Sequence, residues 1–118
     1  MLNDPSIDAL TRFLDVSVFR SGLILSNMAN IDTPGYRTRD VNFSQELERA
    51  AGGSEDAGLS PLVHQVGGLI ERPDGNNVNL ERESMLLANM QLRFNACVQL
   101  LRDRFKMLSS AIHEGSSQ

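Results

Sequence analysis

At 118 residues the chain is long enough for one domain and too short for two ordinary ones. A hydrophobic content of 41% excludes wholesale disorder, and a net charge of −4 excludes the basic face that a nucleic-acid partner demands. Aromatics reach only 5%, with no Trp and one Tyr, as in long-helix proteins whose seams are built from Leu, Ile, Val and Met.

The start, Met1 to Pro5, lacks the basic and apolar regions of a cleaved signal. It predicts a chain that is cytoplasmic or exported by a route that reads no such signal. No apolar run approaches the ~20 residues of a membrane span. A single cysteine, Cys97, forbids an internal disulfide and a structural zinc site.

In chain order, the first element is a helix over 4–32. Asp4 reads as its N-cap and Pro5 as its first helical residue. Ile7, Leu10, Leu14, Ile24 and Met28, then Ile31, recur with 3-4 spacing, and Ser17 and Ser21 fill the intervening seam positions. Phe13, Val16, Leu23, Val18 and Leu25 widen the apolar face. Pro34-Gly35 ends the helix and suits the centre of a type II turn from Thr33 to Tyr36.

The middle segment, 33–78, is less ordered in pattern. It predicts a short helix over 44–51, a flexible acidic stretch over 52–58, and a weak hairpin from 62–66 and 69–71 around Gly67-Gly68. Pro73-Asp74-Gly75-Asn76 reads as a turn.

The last element is a helix over 79–113, capped by Asn79. Its seam is Leu87, Met90, Phe94, Cys97, Leu101 and Leu108, with Leu86, Val98, Phe105 and Ile112 beside it. Arg104 falls on the seam, so Phe105 is expected to take over there. Glu81 and Glu83 suit the positive helix start, and Gly115 a stop.

The fold class that follows is mainly α: long N- and C-terminal heptad helices packed as an antiparallel coiled-coil-like pair, joined by an irregular middle segment. Both helices carry more apolar surface than a two-helix seam covers, which predicts association. Their charges, −2 over 4–32 and +2 over 79–113, favour pairing of the two helices or of one copy with the next. The chemical search is negative. His64 and His113 have no ligand-spaced neighbours, Cys97 sits on the seam, and no phosphate loop, dinucleotide fingerprint or nucleophile elbow occurs. No enzyme activity, cofactor or metal is expected.

One stretch is more specific than a helix stop requires. Ala29-Asn30-Ile31-Asp32-Thr33-Pro34-Gly35-Tyr36 resembles the Ala-Asn-x-x-Thr-Pro-Gly-Tyr signature of the bacterial flagellar rod, hook and hook-associated axial proteins, matching at Ala29, Asn30, Thr33, Pro34, Gly35 and Tyr36. Arg39-Asp40-Val41-Asn42-Phe43, the run from Asp74 to Glu83 and the run from Leu108 to Ile112 resemble the short proximal-rod members of that family. The resemblance covers roughly 4–49 and 73–113. Phe94 departs from the Tyr common among relatives. The competitors are rod protein C, whose Gly-Tyr-Val approach to the last helix is absent, and a soluble coiled-coil adaptor or export chaperone.

The resemblance implies a structural subunit that assembles helically through its terminal helices into the drive shaft. The implied partners are other copies of itself, other flagellar rod proteins, the inner-membrane ring and its adaptor, and the flagellar type III export apparatus. The implied place is the periplasmic rod of the basal body, reached without a cleaved signal peptide. The signature residues are expected to fix where the helix ends, and Tyr36 to pack its ring on a neighbour.

Overall fold

In the computed structural model, residues 4–52 and 61–116 are described. Five elements follow one another: α1 (Pro5–Ala29), β1 (Arg39–Val41), α2 (Phe43–Ala51), β2 (Val63–Gln65) and α3 (Leu80–Ser116). The molecule is elongated, 72 × 31 × 18 Å, because its two long helices lie side by side along one axis.

Local chemistry starts each helix. Asp4 accepts the Ser6 N–H at 2.8 Å and Pro5 takes the first helical position, where a missing N–H costs nothing. Asn42 accepts the Gln45 N–H at 3.0 Å and Asn79 the Arg82 N–H at 3.0 Å, capping α2 and α3 in the same way. Asn42 is therefore a cap, occupied by its own helix. α1 stops at Ala29, short of the expected 32, because Asn30 caps it and the next residues turn. α3 runs on through Gly115 to Ser116, so that glycine is no stop.

α1 and α3 pack antiparallel. Three contacts fix the register along the pair: Arg104 on Asp4 (3.1 Å), the Cys97 thiol on the Leu10 carbonyl (3.4 Å), and Asn27 on Glu83 (3.2 Å). Ile24, Met90 and Cys97 are the buried part of the seam, with Ser17 beside them, while Ile7, Leu10, Leu14, Met28, Leu87, Phe94, Leu101 and Leu108 are half-buried. The expected hand-over from Arg104 to Phe105 does not occur. Phe105 is 54% exposed, and Arg104 keeps its seam position because Asp4 supplies a counter-charge.

The middle segment differs from the expected local hairpin. Residues 69–71 form no strand; β2 instead pairs antiparallel with β1, His64 opposite Asp40. The physical reason is that 38–41 is already held extended against α1 and offers an open edge. α2 docks on α1 through an edge-to-face contact of Phe43 with Phe13, ring centres 5.1 Å apart. Glu46 of α2, buried and paired with Arg49, accepts the Leu62 N–H where the described chain resumes. Of the expected flexible stretch 52–58, Gly52 caps α2 and the remainder lies outside the described residues.

Candidate functional site

Among the described residues, eight buried side chains are polar or charged and six are apolar, so the centre of this protein is a hydrogen-bonded one. It lies where the end of α1, the Thr33–Tyr36 turn, β1 and the start of α3 meet. Asn27 is its hub. The side-chain amide donates to the Arg39 carbonyl (2.8 Å) and to Glu83 Oε2 (3.2 Å), and its oxygen accepts the Tyr36 hydroxyl (3.0 Å) and the Arg39 N–H (3.1 Å). All four hydrogen-bonding positions of the amide are used.

Charges continue the network. Arg20 grips Asp40 with two parallel bonds of 2.9 and 3.0 Å, Arg82 lies 3.5 Å from the same carboxylate, and Arg82 donates to Glu83 at 2.6 Å. Two cations and two anions thus alternate, and no buried side-chain nitrogen or oxygen among the described residues lacks a partner. Burial by itself would push the Asp40 carboxyl up. The Arg20 guanidinium, the Val41 N–H and Arg82 outweigh it and hold the group below its ordinary value. Glu83, expected to serve the positive start of the helix, lies in the first turn of α3 and is in addition fully buried as a structural member of this cluster.

An asparagine pair, Asn76 and Asn77, closes the turn. Asn76 donates to the carbonyls of Asn30 and Thr33 (2.9 Å each) and accepts the Val78 N–H (2.8 Å). Carbonyls left unpaired at the end of α1 are thereby satisfied from the approach to α3. Asn77 accepts both the N–H and the hydroxyl of Thr38. Arg72 adds a bond to the Ile31 carbonyl.

The signature residues sit on this frame. Ala29 is the exposed last residue of α1. Asn30 donates to the Ser26 carbonyl and accepts the Thr33 hydroxyl. Pro34 is exposed, and the Tyr36 N–H closes the turn on the Thr33 carbonyl at 3.2 Å. Gly35, at φ +74°, donates to the Asp74 carbonyl at 2.8 Å. Gly75, at φ +87°, lies so near that a Cβ there would stand 3.3 Å from the Gly35 Cα. Two glycine turns are stacked back to back, and neither tolerates a side chain without strain. The Tyr36 ring lies under Arg39 of its own chain, 5.8 Å from the guanidinium carbon.

Among the described residues no cluster of His, Cys, Asp or Glu is placed to hold a metal ion, and no helix is long and apolar enough to cross a membrane. Burial pushes the Cys97 thiol up, away from reactivity. Two open apolar grooves flank the seam. One, of about 740 Å³, lies between the three helices over Leu10, Phe13, Leu47 and Leu100. The other, of about 640 Å³, runs between α1 and α3 over Val18, Gly22, Leu25 and Phe94.

Reading the sequence singled out the signature but not Asn27, Arg20, Thr38, Asp40, Asn76, Asn77, Arg82 or Glu83 as members of one site. A signal was present for Glu83, which continues the heptad backward from Leu87 and Met90. A charge on a seam asks for a buried partner.

A long first helix ends in a Thr-Pro-Gly-Tyr turn and packs antiparallel on a longer C-terminal helix, the arrangement expected from the resemblance to the flagellar axial class. The relatives make the class specific. The chain is similar to flagellar basal body rod protein FlgB of Cereibacter sphaeroides, 33% identical over 105 residues that span 79% of this chain and 82% of that protein. It is also similar to the proteins of that name from Borrelia hermsii (29%, covering 92% and 96% of the two chains) and Salmonella typhimurium (28%, covering 93% and 97%). No family model matches the chain. The chain belongs to the FlgB family of flagellar basal body rod proteins.

Proposed function

We propose that this chain is a structural subunit of the proximal rod, a single rod-type domain over 1–118 that assembles helically through its terminal helices into the drive shaft. One observation carries this reading. Both long helices expose large apolar side chains along their length, among them Val18, Leu25, Leu92, Leu100, Phe105 and Met107, while the polar frame is fully satisfied within the chain. A subunit so built has one rigid, self-sufficient region and a shaft that gains by acquiring neighbours. At about 25 cal/mol per Å² of apolar surface, burying such side chains between copies repays the ordering of the helices.

In this reading Ala29, Asn30, Thr33, Pro34, Gly35 and Tyr36 fix the end of α1 at one height in the tube, and the seam from Ile7 to Leu108 sets the helix pair. The partners are other copies, other rod proteins, and the inner-membrane ring with its adaptor. Delivery is through the flagellar type III apparatus.

Electron microscopy of basal bodies from a strain lacking the chain tests the proposal. Rings without a rod above them are expected. Complete rods would overturn it and bring the soluble-adaptor reading forward.

A further inference from the structure

We infer that the segment Arg72–Asn77 is the template of the Thr33–Tyr36 turn, with Asn76 as its positioning residue, so that a chain presents this turn in its working shape only once its C-terminal helix is docked. Pro34-Gly35 dictates that the chain turns, but not how the turn is set on the end of α1. Its own bonds are few: the Thr33 N–H reaches the Asn30 carbonyl at 3.0 Å and the Tyr36 N–H the Thr33 carbonyl at 3.2 Å. Backbone groups left over are taken by one distant segment. The Gly35 N–H donates to the Asp74 carbonyl (2.8 Å), the Asn77 N–H to the Tyr36 carbonyl (3.3 Å), the Thr38 N–H to Asn77 Oδ1 (2.7 Å), and Arg72 to the Ile31 carbonyl.

Asn76 does more than any of these. From one amide nitrogen it donates to the carbonyl of Asn30, the C-cap of α1, and to that of Thr33, where the turn begins, at 2.9 Å each. It thereby sets the spacing between helix end and turn. Its oxygen accepts the Val78 N–H at 2.8 Å, and the whole residue is buried. The template is in turn held by α3: Val78 is buried, and Glu83, in the first turn of α3, bonds Asn27 of α1. One side chain thus joins three segments, and its bonds form together or not at all. The turn has two faces. Residues 72–77 grip the inner one, with Gly75 so close that a Cβ there would stand 3.3 Å from the Gly35 Cα. Asp32, Thr33, Pro34 and Gly35 form an exposed outer face. Without α3 in place the inner grip is missing, and the outer face has no fixed shape to offer a neighbour. The inference rests on the rod reading for what the turn is offered to, and on geometry alone for what holds it.

Asn76→Asp tests this in the full chain. The two side chains are nearly equal in size, and the carboxylate still accepts the Val78 N–H, but both bonds donated to the Asn30 and Thr33 carbonyls are lost. Hydrogen exchange read by NMR is expected to quicken about tenfold at the Gly35 N–H, while the seam amide of Met90 keeps its rate. If the buried carboxylate prevents folding, Asn76→Ala is read in the same way. Pro34→Ala, which removes the local turn former, is expected to leave Gly35 exchange nearly unchanged. Equal quickening at Gly35 and Met90 would make Asn76 an ordinary stability residue and overturn the inference. So would fast exchange at Gly35 in Pro34→Ala with slow exchange in Asn76→Asp, which would return the turn to its own sequence. A strain carrying Asn76→Asp is expected to make the protein at its usual level and to lack rods; complete rods there, despite fast exchange at Gly35, also overturn it. Complete rods in a strain lacking the chain altogether would sink the rod reading and leave the exchange result standing.

Discussion

Asn27 shows at the scale of one residue why this protein is held by polar groups. Its amide satisfies four partners from α1, the turn, β1 and α3, and each would be costly to leave buried and unpaired. Asn27→Ala is expected to cost about 3 kcal/mol, read as a lower urea midpoint with an unchanged slope. A loss below about 1 kcal/mol would mean that water replaces the amide and that the hub is not a hub. Asp40 adds a dependence on pH. Its folded carboxyl is held below the ordinary value of 3.8, chiefly because Arg20 outweighs the cost of burial. Between the folded and unfolded values the unfolded chain binds more protons. The stability Asp40 contributes is thus complete above its unfolded value and is lost as pH falls through the folded one. Asp40→Asn is expected to reduce the loss of stability between pH 7 and pH 3, measured by urea unfolding at the two values. An equal loss in both proteins would move the acid sensitivity to other carboxylates.

Among the elements, the Thr33–Tyr36 turn does the most for its size. Three features converge on it: Gly35 at positive φ, the Gly35 N–H on the Asp74 carbonyl, and Asn76 closing the end of α1. The space around Gly35 is open, so the demand there is conformational, whereas Gly75 is constrained by both its φ and the backbone facing it. Gly35→Val is expected to cost about 1–2 kcal/mol through the positive φ and to impair rod assembly more than expression, because the helix end shifts while the seam survives. Normal motility of that strain would remove the argument that the turn sets a height in the tube. The rest of the middle segment depends on this turn too. β1 is extended because Asn27 and Asn77 hold it, and β2 pairs with the edge it offers.

Across the whole molecule, the polar frame occupies one end of a long helix pair and the thin seam the other. Seam packing beyond Ile24, Met90 and Cys97 is only partial, and α3 continues past the cap of α1. Opening free energy should therefore fall from the frame toward the far end of α3. Limited trypsin digestion is expected to cut at Lys106 before Arg20 or Arg82, which are held in the frame. First cleavage at Arg20 or Arg82 would show that the frame is not the stable end. The same gradient suits a subunit whose frame is complete alone and whose shaft is completed by others.

The sequence by itself determined the two long helices, their capping by Asp4 and Asn79, and the Pro-Gly turn that follows the first, although that helix ends at Ala29 and not at 32. Those features depend on neighbours in sequence: a heptad, a cap and a Pro-Gly turn are local, and the signature that pointed to the family lies within eight residues. Tertiary structure alone decided the rest. The antiparallel register, the partner of β2, the retention of Arg104 on the seam, and the gathering of Arg20, Asn27, Asp40, Asn76, Asn77, Arg82 and Glu83 join groups far apart in the chain. A polar residue in a sequence looks solvated by default. It becomes part of a core only when the fold brings its complement within about 3 Å, and the complement of Asn27 stands 56 positions away at Glu83.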